Sequence, residues 1–285
     1  MQTHFTPEQL QDPELREANA ILRRCVHCGL CTATCPTYLT LGDERDSPRG
    51  RIYMIKDMLE SGRPATPEIQ THVDRCLSCL SCMTTCPSGV DYMHLVDLAR
   101  ARIETTRPRS WRDRLARALV ARTVPNPARM RLALVAAFAG RPFRALFRRL
   151  GLAPIAAMLD LAPRGVFSLA TYRAPRKVAA QGEQRGRVIL LAGCAQQVLR
   201  PDINDATIRM LTRLGVEVVM AQGAGCCGSL VHHMGRTDEA REQAARTIGA
   251  WMKVIEAEPV DAIIMNASGC GSTVKDYGHM LAGEA

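Results

Sequence analysis

The chain has 285 residues, of which 47% are hydrophobic and 12 are cysteine, and its formal net charge is +9. This length is enough for two domains with their own cores. The uncharged stretches 188–199 and 262–274 are both shorter than the roughly 20 residues that span a bilayer. Residues 1–19 are polar and have no apolar core or small-residue cleavage site. The sequence therefore predicts neither a transmembrane helix nor an export signal, and its cysteines fit the reducing cytoplasm.

The N-terminal third is predicted to be helical. Helices are expected over residues 7–22, 48–62 and 92–104. In the second of these, apolar side chains recur at helical spacing, at Ile52, Ile55, Met58 and Leu59. An insert of this kind between two cysteine motifs favours an all-α ferredoxin domain.

Two copies of one motif, Cys-x-x-Cys-x-x-Cys-x-x-x-Cys-Pro, lie in this helical region. The first copy has Cys25, Cys28, Cys31 and Cys35, and the second has Cys76, Cys79, Cys82 and Cys86. Bacterial-type ferredoxins hold two [4Fe–4S] clusters with this spacing, and the fourth cysteine of each motif ligates the other cluster. We therefore predict one cluster on Cys25, Cys28, Cys31 and Cys86, and a second on Cys76, Cys79, Cys82 and Cys35.

Zinc and disulfides are the competing interpretations of these cysteines. A structural zinc site usually has two Cys-x-x-Cys pairs separated by a longer span. Here four thiols fall within eleven residues, twice, each time followed by proline. Disulfides need an oxidising compartment, for which no signal is present. Iron–sulfur clusters are favoured, and a zinc-stabilised binding protein remains the alternative.

The positive charge is concentrated in the middle of the chain. Residues 100–187 contain 20 Arg or Lys and four Asp or Glu, a net charge of +16, so the rest of the chain sums to −7. Arginines alternate with apolar residues over 141–150, which is typical of a helix that docks on a membrane surface or a partner. A solvated basic face on a linker helix is the plainer interpretation. No nucleic-acid recognition motif accompanies the charge, and no nucleic-acid partner is expected.

The pattern changes to alternating strands and helices from Arg187 onward. Strands are expected over 188–192, 216–220 and 263–265, with helices over 204–214 and 237–256 between them. Before this region, a proline-punctuated set of short helices ends in a linker over 173–187. Strand–helix alternation with short turns predicts a parallel sheet with right-handed crossovers.

The last four cysteines follow the ends of these predicted strands. Cys194 follows the first strand, Cys226 and Cys227 the second, and Cys270 the third, each beside glycine. The carboxyl ends of parallel strands meet at one edge of a sheet, where α/β proteins build their sites. A third redox site, either a further cluster or a thiol centre, is therefore predicted. Ordinary buried cysteines are the alternative, and His232 and His233 are either donors to this site or loop residues.

Together these motifs resemble the iron–sulfur subunit of bacterial glycolate oxidase (glycolate dehydrogenase). The resemblance is carried by the two cysteine motifs, by residues 48–53 (Pro-Arg-Gly-Arg-Ile-Tyr), and by the glycine-flanked segments 193–196, 224–228 and 267–271. In that family the Cys-Cys-Gly module, here residues 226–228, occurs twice, whereas this sequence contains one. Position 273, where the fullest form of the module has a final cysteine, is threonine.

The resemblance implies an electron-transfer subunit of a membrane-associated dehydrogenase. Flavoprotein partners with FAD would oxidise glycolate to glyoxylate, and the chain would pass the electrons toward quinone. It would lie in the cytoplasm, peripheral on the inner face of the membrane, with contact through the basic middle segment. The alternatives are the corresponding subunit of a D-lactate or glycerol-3-phosphate dehydrogenase, or a thiol–disulfide redox protein that resembles heterodisulfide reductase.

The predicted architecture is therefore α followed by α/β. An all-α two-cluster ferredoxin domain is expected over residues 1–105, a basic helical linker region over 106–186, and a three-layer α/β Cys-Cys-Gly domain with a parallel sheet over 187–285. No nucleophile–base pair, phosphate loop or dinucleotide fingerprint is present, so no catalytic residue for the hydroxy acid is expected on this chain.

Overall fold

The computed structural model describes residues 1–161 and 177–282. The chain forms two compact units. The first consists of Met1–Arg114 with Val231–Thr237, and the second of Leu115–Leu230 with Asp238–Ala285. The division at 105 and 186 stays a prediction, and residues 173–176 of the predicted linker lie outside the described residues. No helix in the described ranges is long and apolar enough to cross a membrane.

The first unit is helical, as predicted. Three of its helices begin with a capping side chain followed by proline, a combination that satisfies free backbone amides at a helix start. Asp12, Ser47 and Thr66 accept hydrogen bonds from the amides of Glu14, Gly50 and Ile69. Its first six helices are α1 (Pro13–Arg24), α2 (Pro36–Leu41), α3 (Pro48–Ser61), α4 (Pro67–Asp74), α5 (Ser81–Thr84) and α6 (Tyr92–Thr106).

The core of this unit is built from α1, α3 and α6. Leu22 of α1, Ile55 of α3 and Leu95 of α6 are fully buried, and all three belong to one apolar cluster. The helical spacing predicted for Ile52, Ile55, Met58 and Leu59 is confirmed, since all four are buried. The helix predicted over 7–22 is partly wrong. The chain forms a short 3-10 turn at Gln9–Gln11, and α1 starts only at Pro13.

Four short helices follow, and they leave much apolar surface exposed. They are α7 (Trp111–Thr123), α8 (Pro127–Gly140), α9 (Arg144–Arg149) and α10 (Ala153–Leu161). No residue of α8 or α9 is buried. Large apolar side chains that are half or more exposed are Trp111, Leu115, Leu119, Leu132, Phe138, Phe143, Leu146, Leu150 and Met158. The expected short helices are present, with a basic and apolar surface.

The C-terminal part alternates strands and helices. Its elements are β1 (Lys177–Val178), β2 (Gly186–Leu191), α11 (Gln196–Leu199), α12 (Pro201–Arg213), β3 (Val216–Val219), α13 (Ser229–His232), α14 (Thr237–Ala257), β4 (Ala262–Met265), α15 (Ser268–Lys275) and α16 (Tyr277–Met280). The sheet order is β1-β3-β2-β4. β2 pairs in parallel with both β3 and β4, with Val188 opposite Val218 and Ala262.

The three predicted strands are parallel, but the whole sheet is mixed. β1 pairs antiparallel with β3, with Lys177 opposite Val219. This two-residue strand lies in the segment predicted as a linker, and two residues are too short to show any periodicity. The expected parallel sheet is therefore correct for β2, β3 and β4, and incomplete at the β3 edge.

α12 covers one face of this sheet. Ile208 of α12 packs on the face that carries Val188, Leu190 and Val218. Successive strand residues point to opposite faces, so Arg187 and Glu217 lie on the other face. There the buried Arg187 pairs with Glu217 at 2.9 Å and with Glu258, directly after α14.

Candidate functional site

The first three cysteines converge with a cysteine from the second motif. Cys25, Cys28, Cys31 and Cys86 all line one pocket, which is closed by Pro48, Arg49, Ile52 and Tyr92. Cys25 is buried and Cys28 is exposed. The chain supplies three sulfurs from one loop and the fourth from 55 residues further along.

The remaining four cysteines of the two motifs line a second pocket. They are Cys35, Cys76, Cys79 and Cys82, and the lining also includes Thr37, Arg51 and Tyr92. Cys82 also borders the first pocket. In the described residues no three cysteine sulfurs lie within 4.8 Å of one another. Ligands of one tetrahedral zinc would be about 3.8 Å apart at a Zn–S length of about 2.3 Å, so the spacing does not fit a single zinc ion.

The two cysteine loops share an unusual backbone conformation. His27 and Gly29 in the first loop have φ of 57° and 83°, and Ser78 and Leu80 in the second have φ of 49° and 59°. The two loops therefore turn in the same left-handed sense at equivalent positions. Left-handed backbone costs a non-glycine residue on the order of 1–3 kcal/mol, and it persists only where the surroundings enforce it.

Alanine at Gly29 is expected to destabilise the first loop by about 1–3 kcal/mol. A Cβ there would lie 2.5 Å from a guanidinium nitrogen of Arg49, and φ is positive. Gly42→Ala is the matched control, because Gly42 also has positive φ but its Cβ would meet no atom within 4 Å. Chemical denaturation followed by circular dichroism compares the two. Equal losses in both variants would show that the Arg49 contact is irrelevant.

A buried charged network supports the second pocket. Arg51 is 1% exposed and lies 3.9 Å from the sulfur of Cys35. Its guanidinium donates to the carbonyl of His72 at 2.7 Å and pairs with Asp46 at 3.4 Å. Asp46 is fully buried and also accepts from His72 Nδ1 at 2.9 Å and from Arg75 at 3.0 Å. A fixed positive charge is thus held beside one of the thiols.

Burial makes these thiols weak acids when they are alone. Burial raises the pKa of Cys82 to about 12, with the neighbouring Cys76 thiol adding to it, and burial also raises the pKa of Cys31. A metal replaces the thiol proton and supplies the positive charge that a buried thiolate lacks. Because the thiols are buried and need such a charge, the two sets of four thiols around two pockets fit iron–sulfur clusters.

Tyr92 is a fixed hydrogen-bond donor to the second set. It is 3% exposed, and its hydroxyl donates to the sulfur of Cys76 at 3.7 Å. Burial raises the pKa of this phenol far above its usual value, so the proton stays on the oxygen at every physiological pH.

Tyr92→Phe is expected to lower the reduction potential of the cluster predicted on Cys76. A hydrogen bond to a ligating sulfur stabilises the more negative, reduced state. A bond of about 0.5–1.5 kcal/mol corresponds to about 20–60 mV for one electron. Redox titration followed by electron paramagnetic resonance measures the shift. The control is Tyr53→Phe, at a ring that is 59% exposed; identical potentials in both variants would contradict the expectation.

The last four cysteines come together at the carboxyl edge of the sheet. The sulfurs of Cys194 and Cys226 are 3.5 Å apart. Cys227 interacts in turn with Cys226 and Cys270. Cys226 and Cys227 are buried, whereas Cys194 and Cys270 are half-buried. Cys270 lies in the first turn of α15, because that helix begins at Ser268.

Protons are unequally shared among these four thiols. Hydrogen bonds from Cys226 and Cys270 lower the pKa of Cys227 to about 3. The hydrogen bonds of Cys226 to its neighbours, together with burial, raise its pKa, and the same causes raise that of Cys270. The hydrogen bond with Cys226 lowers the pKa of Cys194. The hydrogen bonds within the site therefore lower the pKa of Cys227 and Cys194 and raise that of Cys226 and Cys270.

Side-chain amides that were not predicted fix the loops around these thiols. Gln196 donates to Asn204 at 2.7 Å and to Asn266 at 2.5 Å. Asn204 donates to the carbonyl of Ala192, and Asn266 donates to Asn204. Gln196 and Asn266 stand two and four residues from Cys194 and Cys270, which is the only signal the sequence offers for them.

His232 and His233 both hydrogen-bond to the buried carboxylate of Asp97. His232 Nε2 and His233 Nδ1 each lie 3.2 Å from an oxygen of Asp97, and Arg100 lies 3.4 Å from it. Burial alone raises the pKa of Asp97. The hydrogen bonds from the two imidazoles lower it by more than burial raises it, so the pKa lies well below its usual range. Asp97 is thus the hydrogen-bond partner of both histidines.

Comparison with known proteins defines the class of this chain. Residues 21–90 match the 4Fe-4S dicluster domain, and residues 188–275 match the cysteine-rich domain of the Cys-Cys-Gly type. The chain therefore contains a 4Fe-4S dicluster domain and a cysteine-rich domain, and [4Fe–4S] clusters are its cofactors. No solved structure matches it significantly.

Individual relatives narrow the class. The chain is 43% identical over 285 residues to the glycolate oxidase iron-sulfur subunit of Escherichia coli K12, covering 100% of this chain and 65% of the relative. It is 31% identical to the "Probable glycolate oxidase iron-sulfur subunit" of Bacillus subtilis 168, covering 91% and 60%. A subunit of the anaerobic glycerol-3-phosphate dehydrogenase of Escherichia coli K12 is 25% identical, covering 88% and 61%. The resemblance to the glycolate oxidase subunit is confirmed, and the chain spans somewhat less than two thirds of these relatives.

Proposed function

We propose that this chain is the electron-transfer iron–sulfur subunit of a glycolate dehydrogenase. The observation that carries the proposal is the 43% identity along the whole chain to a glycolate oxidase iron-sulfur subunit. Flavoprotein partners with FAD would oxidise glycolate to glyoxylate, and the electrons would leave toward quinone. D-lactate and glycerol 3-phosphate are the alternative substrates of the partner subunits.

The two thiol sets that line separate pockets are the proposed cluster ligands. Cys25, Cys28, Cys31 and Cys86 would hold one [4Fe–4S] cluster, and Cys76, Cys79, Cys82 and Cys35 the other. The pocket linings support this crossed assignment, since Cys86 lines the first pocket with Cys25, Cys28 and Cys31, and Cys35 lines the second with Cys76, Cys79 and Cys82; Cys82 borders both. Such clusters supply one-electron transfer when bound. The protein holds the sulfurs, buries them, and places Arg51 and Tyr92 beside them.

The four thiols at the sheet edge form a proposed third redox site. Their glycine-flanked loops and their mutual contacts support either a further cluster or a thiol–disulfide centre. The 3.5 Å separation of Cys194 and Cys226 favours a thiol–disulfide centre. In that second candidate, a disulfide between the two would take up two protons and two electrons from the proposed clusters and become two thiols. If the chain is a thiol–disulfide reductase, it is active when no flavoprotein is present, and Cys227→Ser abolishes that activity. Surviving activity would remove this candidate.

A peripheral membrane contact in the cytoplasm is proposed for helices α7–α10. Their exposed apolar side chains and the net charge of +16 over residues 100–187 match an anionic lipid surface. Vesicles of phosphatidylglycerol and phosphatidylcholine should bind the chain in a co-sedimentation assay, and salt should weaken the binding. Leu132→Ser with Phe138→Ser should weaken it too, whereas equal binding to vesicles of phosphatidylcholine alone would contradict the charge argument.

Visible absorption of the anaerobic complex tests the main proposal. The chain is copurified with its flavoprotein partners, and glycolate, D-lactate and glycerol 3-phosphate are added in turn. Bleaching of the cluster absorption by glycolate supports the proposal. Bleaching by another of the three substrates moves the chain to a sister dehydrogenase. Bleaching by dithionite but by none of the substrates contradicts the proposal.

A further inference from the structure

A cavity lies at the carboxyl edge of the sheet, beside the third thiol site. Its volume is about 370 Å³, and it is lined by the end of β2, by residues 192–193 and 220–225 that follow β2 and β3, and by Gln197. Leu190, Leu191 and Met220 are its buried apolar side chains. Small-molecule sites commonly measure about 300–1,000 Å³, and in open parallel sheets they lie outside the carboxyl ends of the strands.

Glycine backbone separates this cavity from two of the thiols. Gly193 and Gly223 adopt positive φ of 70° and 88°, and a Cβ built on Gly225 would meet no atom within 4 Å. Cys194 follows Gly193 in the chain, and Cys226 follows Gly225. A ligand in the cavity would therefore be one residue along the backbone from each member of the close thiol pair.

The lining selects a neutral ligand. No Asp, Glu, Lys, Arg or His is among the described residues that line the cavity. The polar side chains are Gln197 and Gln222, and Gln197 Nε2 donates to the carbonyl of Gly193 at 2.7 Å. A carboxylate or phosphate would find no counter-charge here, and burying an unpaired charge is costly. Side-chain amides and glycine backbone beside an apolar floor suit a flat molecule with carbonyl acceptors.

We infer that this cavity binds the ring of the quinone that accepts electrons from the chain. The inference rests on the proposed function, which supplies the electrons. Oxidation of glycolate to glyoxylate releases two electrons and two protons, and reduction of a quinone to its hydroquinone takes up two of each. The lining gives no basis for recognising the anionic hydroxy acid itself.

Photolabelling of the full chain tests the binding directly. A photoactivatable azidoquinone is irradiated with the protein, with menadione as competitor, and the labelled peptides are mapped. Labelling within residues 186–230 is expected, and Gly225→Leu should reduce it at least tenfold by filling the cavity. Gly249→Leu is the matched control, at an exposed glycine of α14 whose Cβ also meets nothing within 4 Å. Undiminished labelling in Gly225→Leu, or labelling only elsewhere, overturns the inference.

Kinetics of the complex separate this inference from the proposed function. In Gly225→Leu, glycolate should still bleach the clusters, while reoxidation by menadione slows at least tenfold. Unimpaired reoxidation in that variant overturns the quinone site and leaves the glycolate proposal intact. Absence of glycolate bleaching in the wild type contradicts the proposed function, and the labelling result then decides the cavity by itself.

Discussion

Cys35→Ser and Cys76→Ser are expected to remove the same cluster, although the two residues belong to different motifs. Both sulfurs line the second pocket, and Cys25, Cys28, Cys31 and Cys86 are grouped at the first. Each variant should retain about four of the eight irons expected for two [4Fe–4S] clusters. The same paramagnetic signal should survive in both.

Iron analysis with electron paramagnetic resonance measures this result, and the reciprocal pair completes it. Cys86→Ser and Cys25→Ser should both retain the signal that Cys35→Ser loses. Ser88→Ala, two residues from Cys86, is the control that changes the loop without removing a sulfur. A Cys35→Ser variant that loses the same signal as Cys25→Ser would show that each motif holds its own cluster. Eight retained irons would contradict the ligand assignment altogether.

Asp46→Asn is expected to cost about 3–5 kcal/mol of stability, the range found when a buried ion pair loses one charge. Asp46 is fully buried, and Arg51, His72 and Arg75 all contact its carboxylate. Removing the negative charge of Asp46 leaves the buried guanidinium of Arg51 without its carboxylate partner.

The denaturation midpoint in anaerobic buffer, followed by circular dichroism, measures this loss. Asp43→Asn is the matched control, because Asp43 makes its ion pair with the exposed Arg45. Its midpoint should match that of the wild type. An Asp46→Asn variant as stable as the control would show that the network contributes no net stability.

Local patterns predicted most of the helices and the three parallel strands. Ser47 and Pro48 mark the start of α3 in the sequence itself, and the apolar spacing from Ile52 to Leu59 marks its buried face. The predicted start of α1 is wrong because proline at position 7 suggested a helix, whereas the helix begins six residues later at Pro13, with Asp12 as its cap. β1 was missed because it exists only through its pairing with β3.

Contacts between distant residues could not be predicted from local patterns. Asp46 looks like a surface residue in the sequence, yet it is buried because Arg51 and His72 surround it. Asp97 and His233 are separated by 136 residues and meet only in the folded chain. The convergence of Cys194, Cys226, Cys227 and Cys270 was predictable, because parallel strands place their carboxyl ends together.

The positive charge of the middle segment comes almost entirely from one residue type. Between residues 100 and 187 it is carried by 19 arginines and one lysine. A guanidinium does not lose its proton in proteins, so acidification or alkalinisation of the cell leaves this charge unchanged. Screening by salt does change its reach, from about 10 Å at 0.1 M to about 3 Å at 1 M. Any attachment made through this segment is therefore governed by ionic strength and lipid composition, and is insensitive to pH.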